Sequence, residues 1–284
     1  MKLDEINIRD PFVLCENGKF YMYGTRAASF GRFTHGFDVY VSENLKTWSK
    51  PHECFNSEEY SLDREVNWAP EVHKYNGKYY MFATFTKENG LRGTYILRSD
   101  SPMGPFVPHS VGAATPENWE CLDGTLYVED GLPYIVFCHE HTQIWDGTIC
   151  YQRLSEDLTI PMGEPVTLFK ASDPEWADPK HYGDHFVTDG PFMFRTKTGV
   201  LLMIWSTFIQ GKYAECVVRF GSGSISGEIE HLEPILKDDG GHGMIFSHDD
   251  RLYLIFHSPN MTGSERPVIR EITDTGDSIV PAAD

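Results

Sequence analysis

Three aspartates in this chain stand in closely similar short phrases: Asp10 in "RDPF", Asp123 in "LDGTL" and Asp189 in "TDGPF". A single Asp beside Gly or Pro often does no more than close a turn through its side chain. Here each phrase opens a longer unit made of an apolar run, a turn and an aromatic-rich run, and that unit recurs five times. Aligning Asp10, Ala69, Asp123, Asp189 and His242 gives spacings of 59, 54, 66 and 53 residues. Three carboxyls and an imidazole at one phase of a repeat meet wherever the repeats meet. Clustered carboxyls must separate their pKa values, because like charges penalise simultaneous ionisation. That separation is what acid–base chemistry on an uncharged substrate requires.

The elements that would carry these residues are strands. In every copy a turn ("ENGK", "YNGK", "EDGL", "KTGV", "HDDR") separates two alternating β-branched and aromatic runs, which is a hairpin signature. After four copies come third and fourth strand candidates, in "FDVYVSENLKTWSKP", "TYILRSDSPMGPF", "TICYQRLSEDLTIP" and "AECVVRFGSGSISGEI". Four short strands in about 55 residues is the size of a propeller blade. Five blades use nearly the whole chain, so the sequence predicts an all-β, five-bladed β-propeller with residues 1–284 forming one catalytic domain. Helical periodicity is absent over long windows. The innermost strand of each blade lines a common channel, which brings Asp10, Asp123, Asp189 and His242 together. Residues 171–187, "ASDPEWADPKHYGDHFV", read as a long insertion before blade four, of a length that usually carries function.

On the motifs "RDPF", "WAPEV", "LDGTLYVEDGLPYIVFCHE", "TDGPF" and "GGHGMIF", spread over all five blades, the chain resembles the family 43 glycoside hydrolases. The resemblance implies a five-bladed propeller that hydrolyses glycosides with inversion. It casts Asp10 as the base that activates water, and Asp123 as the carboxylate that orients and tunes the acid. The acid position falls on Asp189, where the family usually has Glu before Gly-Pro, so the side chain is one methylene shorter. In this reading Asp10 stays ionised and Asp189 is kept protonated by its neighbour Asp123, the carboxyls standing roughly 6.5–9.5 Å apart to admit a water. His242, in "GGHG", would approach a structural calcium ion in the central channel through its imidazole and a shell of waters. No organic cofactor is expected.

Sugar faces pack on aromatic rings. Trp68 and Trp205 are the expected platforms, with His139 and Glu140 as polar contacts to hydroxyls, while Trp48 reads as blade packing and Phe30 and Phe33 as a rim over the channel. The expected partner is a small oligosaccharide carrying α-L-arabinofuranosyl or β-D-xylosyl units. Two other readings compete. One is a carbohydrate-binding propeller without hydrolysis, its acid degenerate; the other, a phosphorolytic enzyme, would need a cation cluster that only His242, Arg9 and Arg266 could begin to supply.

Composition narrows the field. Lys plus Arg is 24 against 42 Asp plus Glu, a net charge of −18, which repels nucleic acid and anionic membrane surfaces. The six cysteines show no CxxC or zinc-ligand spacing and mostly sit in apolar runs, so they read as reduced, buried hydrophobes. "MKLDE" is followed by no apolar leader, and the longest apolar stretch, "GVLLMIW", is far below the roughly 18 residues of a membrane helix. A cytoplasmic protein is the expectation. "GSGSISG" lacks the following helix of a dinucleotide loop and reads as a hairpin turn.

Overall fold

The computed structural model describes residues 1–26, 35–62, 66–179 and 183–282. Five four-stranded antiparallel sheets are arranged as the blades of a propeller, each built from strands consecutive in the chain. Blade one holds β1 (Ile8–Glu16), β2 (Lys19–Arg26), β3 (Phe37–Ser42) and β4 (His52–Phe55), and blade two β5 (Asn67–Tyr75), β6 (Lys78–Thr86), β7 (Arg92–Ser99) and β8 (Val107–Pro108). Blade three has β9 (Cys121–Glu129), β10 (Leu132–His139), β11 (Thr148–Leu154) and β12 (Pro161–Lys170). Blade four has β13 (Asp189–Arg195), β14 (Leu201–Ile209), β15 (Lys212–Phe220) and β16 (Ile229–His231). Blade five is complete, with β17 (Gly241–His248), β18 (Arg251–Ser258), β19 (Arg266–Asp274) and β20 (Ile279–Pro281). Its outer pair was not evident from the sequence.

The turns follow the residues that form them. Asn17-Gly18, Asn76-Gly77 and Asp130-Gly131 all have positive φ, as the two-residue turns that match strand twist demand. Between the blades the outward faces interlock into apolar cores. One joins Phe12 and Met22 of blade one to Met81 and Phe85 of blade two and Met244 and Phe246 of blade five. Another joins Val136 and Cys138 of blade three to Met203 and Trp205 of blade four. Trp48 is buried in blade packing, as expected. Five of the six free cysteines are buried, and Cys15 is exposed.

Each inner strand is broken by a bulge near its start: the register slips between Arg9 and Phe12, Trp68 and Glu71, Asp189 and Phe192, and Gly241 and Met244, and on blade three opposite Val136 and Cys138. One residue in each bulge has a positive φ: Asp10, Ala69, Asp123, Gly190 and His242. Blade four therefore differs from the repeat alignment. Its axial residue is Gly190, and Asp189 precedes it, in the position of Arg9, Trp68 and Leu122. The reason is steric, since a Cβ on Gly190 would lie 2.6 Å from the His242 ring.

The bulges leave backbone N–H groups without strand partners, and the preceding blade caps them. The Ala69 N–H donates to Thr25 Oγ1 at 2.7 Å, Asp123 N–H to Thr84 Oγ1 at 3.0 Å, His242 N–H to Ser206 Oγ at 2.7 Å, and Asp10 N–H to His257 Nδ1 at 3.2 Å. The four caps occupy one register position on the second strand of each blade, and the fifth such position is Cys138. There the Gly190 N–H donates instead to the Asp123 carboxylate at 3.1 Å. The next residue is Pro in three bulges and needs no cap. In the other two it is glycine, capped by Thr94 for Gly124 at 3.0 Å and by Glu215 for Gly243 at 2.8 Å.

Ring closure uses the same cap, Asp10 to His257. Around it the Asn7 side-chain amide donates to the Glu265 carbonyl at 2.8 Å, and Arg9 pairs with the Glu265 carboxylate at 3.1 Å.

Thr84→Val keeps the shape of a fully buried side chain but strands the Asp123 N–H. The expected cost is about 1–3 kcal/mol, read as a lower urea midpoint with an unchanged denaturant slope.

Candidate active site

The bulges place two tiers of side chains around a cavity of about 460 Å³ at the channel mouth. Axial residues Asp10, Asp123 and His242, all buried, make its floor; Arg9, Trp68, Leu122 and Asp189, one residue earlier on their strands, make part of its wall. Arg92, Glu140, His141, Thr142, Phe208, Asn260 and Thr262 also line it.

The floor is an ion-paired cluster. His242 Nδ1 stands 3.2 Å from Asp10 Oδ1 and 3.7 Å from Asp123 Oδ2. Burial alone would depress the His242 pKa, but Asp10, Asp123 and Asp189 outweigh it and raise the imidazole to about 9. Asp10 is pushed upward by burial and pulled down more strongly by His242, Arg9, His257 and the Thr25 hydroxyl, which donates to Oδ2 at 2.7 Å. Its carboxyl sits well below the ordinary range and is ionised at neutral pH. Asp123 goes the other way: burial, Asp189 and Asp10 raise it against the pull of His242 and the Gly190 N–H. Burial is the first cause of that rise, with Asp189 and Asp10 adding to it. Protons in such a cluster belong to the cluster as a whole. His257, buried beside Arg9, is pushed down to about 3 and is neutral, which suits an Nδ1 that accepts the Asp10 N–H.

On the wall, the Tyr213 hydroxyl donates to Asp189 Oδ2 at 2.9 Å. The Arg92 guanidinium lies 5.4 Å from the centre of the Trp68 ring, and reaches Glu120 at 2.7 Å and Glu140 at 2.9 Å. This fixes the indole against the cavity.

The structure brings together Asp10, Asp123, Asp189, His242, Trp68 and Glu140. It does not bring two of the expected sugar contacts. Trp205 is 0% exposed and packs on Phe169 and Trp176 between blades; its neighbour Ser206 is the residue opposite Asp189, and strand alternation sends Trp205 to the other face of the sheet. His139 stacks on Trp119 with centroids 4.3 Å apart and bonds Gln143 at 2.8 Å, so it supports the wall from behind. Phe30 and Phe33 lie outside the described residues. Of the expected insertion, Val187 lines the cavity.

Arg92 and Tyr213 were missed in sequence. Both sit on third strands, which the repeat motifs do not mark; an Arg in "LRGTY" and a Tyr in "GKYAE" carry no distinguishing spacing. Arg9, read only as a possible phosphate ligand, is engaged with Glu265 and Asn260.

The family model for glycosyl hydrolases family 43 matches residues 5–275. The chain belongs to that family. The crystal structure of an endo-arabinase from Bacteroides thetaiotaomicron is 38% identical, covers 96% of both chains and superposes with a TM-score of 0.88. An endo-1,4-β-xylanase structure from the same organism, 23% identical with a TM-score of 0.81 over 98% of this chain and 95% of that one, shares the fold. A xylosidase/arabinosidase 43A from Humicola insolens is 29% identical over 118 residues, which are 40% of this chain and 29% of that relative's length.

The calcium expected from the family resemblance fits these residues poorly. Calcium takes roughly six to eight oxygen ligands. His242 offers one nitrogen beside carboxylates that hold its proton, and among the described residues no group of three or more His, Cys, Asp or Glu is arranged to hold a metal ion.

Because His242 has a raised pKa in the fold, its ion pairing stabilises fully below its ordinary value of about 6.5. That contribution is lost as pH rises through about 9. His242→Gln should therefore be less stable than the parent at about pH 6, with the gap narrowing toward about pH 9.5 in urea unfolding.

Proposed function

We propose that this protein is an inverting glycosidase that releases α-L-arabinofuranosyl or β-D-xylosyl units from short oligosaccharides. One observation carries the reading: an ionised Asp10, held by His242 and Arg9, shares a cavity with three further carboxyls, of which Asp123 and Glu140 are raised toward their protonated forms. A base and an acid on one substrate need that divergence. Asp10 would take a proton from water as the water attacks the anomeric carbon. Asp123 would orient the acid side, where Asp189 occupies the family's acid position. The cavity lies within the roughly 300–1,000 Å³ of small-molecule sites, and Trp68 gives it an apolar wall for a sugar face.

Similarity to the endo-arabinase supports arabinose-containing substrates. The net charge of −18 supports a neutral rather than a polyanionic one.

The test is a panel of nitrophenyl α-L-arabinofuranoside, β-D-xyloside and β-D-galactoside substrates with the parent and Asp10→Asn. The variant should keep its fold and lose about 10²–10⁴ in kcat. Oligosaccharide binding without turnover by the parent would instead identify a carbohydrate-binding propeller. Trp68→Ala should raise KM and leave stability nearly unchanged. Trp205→Ala should lower stability by about 3–5 kcal/mol, as large-to-small changes in a packed core do.

A further inference from the structure

Resting on that hydrolase reading, we propose that the proton for the departing glycosidic oxygen comes from Glu140, with Asp189 as the positioned carboxylate beside it. Glu140 follows β10 directly, lines the cavity and is 3% exposed. Its side chain is one methylene longer than that of Asp189. Asp189 is tied at Oδ2 by the Tyr213 hydroxyl.

The geometry divides one cation between two glutamates. Arg92 donates from Nε to Glu120 Oε1 at 2.7 Å and from a terminal nitrogen to Glu140 Oε2 at 2.9 Å. The Thr142 hydroxyl lies 2.8 Å from Glu120 Oε2 but 3.3 Å from Glu140 Oε2. Glu120 thus has the closer contacts and the wetter position, and Arg92 and Thr142 hold it below its ordinary pKa although burial opposes them. Glu140, on the same guanidinium, is pushed up to about 7 by burial, with Asp189 and Glu120 adding to the rise and Arg92 opposing it. Arg92 and Thr142 both bond Glu140 at Oε2, and Oε1 faces His141 Nε2 at 3.7 Å. The titratable and charged groups around it are Arg92 on β7, Glu120 just before β9, Asp123 on β9, Asp189 on β13 and His141, the residue after Glu140. Two carboxyls on one cation that titrate apart are the pattern of an acid and its anchor.

In the step, the Glu140 O–H proton passes to the glycosidic oxygen as the bond from that oxygen to the anomeric carbon breaks. A water oxygen bonds to the same carbon on its opposite face, and its proton goes to Asp10. The sum is addition of one water. Exchange with solvent then returns a proton to Glu140 and removes one from Asp10.

Glu140→Gln and Asp189→Asn should be compared on nitrophenyl glycosides, whose leaving group needs little protonation, and on oligosaccharides, whose leaving group needs it. Glu140→Gln should lose about 10²–10⁴ on oligosaccharides and far less on nitrophenyl substrates. Its kcat/KM profile should also lose the limb that falls as pH rises through about 7. Asp189→Asn should keep that limb and slow both classes alike. Glu140→Asp, which keeps a carboxyl, should retain the limb at reduced rate, and it serves in place of Glu140→Gln if that variant does not fold. The inference is overturned if Asp189→Asn shows the leaving-group difference and loses the limb while Glu140→Gln, or Glu140→Asp in its place, behaves like the parent. If the parent cleaves neither class, the hydrolase reading fails and takes this inference with it.

Discussion

Every blade of this propeller must satisfy a backbone N–H that its own bulge has freed, and the acceptor is always on another blade. A buried, unpaired N–H costs about 1–3 kcal/mol, so five bulges around one axis would be untenable unless neighbouring blades supplied partners. Thr25, Thr84, Ser206 and His257 supply four of them. The fifth is supplied by the carboxylate of Asp123, which ties the scaffold to the site. The same bulges turn Asp10, Asp123 and His242 toward the axis with positive φ. Backbone closure and placement of the reactive groups are thus one arrangement.

The electrostatics follow from crowding at that axis. Asp10 has two buried imidazoles within a few ångströms, His242 and His257, and His242 also faces Asp123; burial penalises every charge among them. The cluster resolves this by pairing the His242 imidazolium with Asp10 and leaving Asp123 to be raised. Glu215, buried beneath, is likewise raised, to about 8, chiefly by burial, while it caps Gly243 and receives the Ser206 hydroxyl at 3.2 Å. One tier outward, Arg92 repeats the pattern with Glu120 and Glu140. Each tier keeps one carboxyl ionised and another raised.

Blade number, hairpin turns and floor residues were legible in the sequence because they depend on local rules: Asn-Gly turns, alternating strands and a recurring phrase before each inner strand. The caps were missed: Thr25, Thr84, Ser206 and His257 close the aromatic-rich run in four copies and Cys138 in the fifth, but Thr, Ser and His do not look like a repeat until their shared bond is seen. Asp189 slipped by one residue because "TDGP" can align its Asp or its Gly with the Asp of "RDP"; the strand register and the positive φ of Gly190 decide between them, and the His242 ring leaves no room for a Cβ there. Trp205 was misplaced by the same one-residue parity, which exchanges cavity for core. Arg92 was out of reach, since its role depends on Trp68, Glu120 and Glu140 from three separate segments.

The most direct measurement is the configuration of the first product, followed by ¹H NMR of the anomeric proton before mutarotation, with an arabino- or xylo-oligosaccharide as substrate. Attack by a water that Asp10 activates gives the β anomer from an α-L-arabinofuranoside and the α anomer from a β-D-xyloside. First release of the retained anomer would contradict this, because it requires a carboxylate nucleophile and a covalent intermediate, with the two carboxyls only about 5–5.5 Å apart.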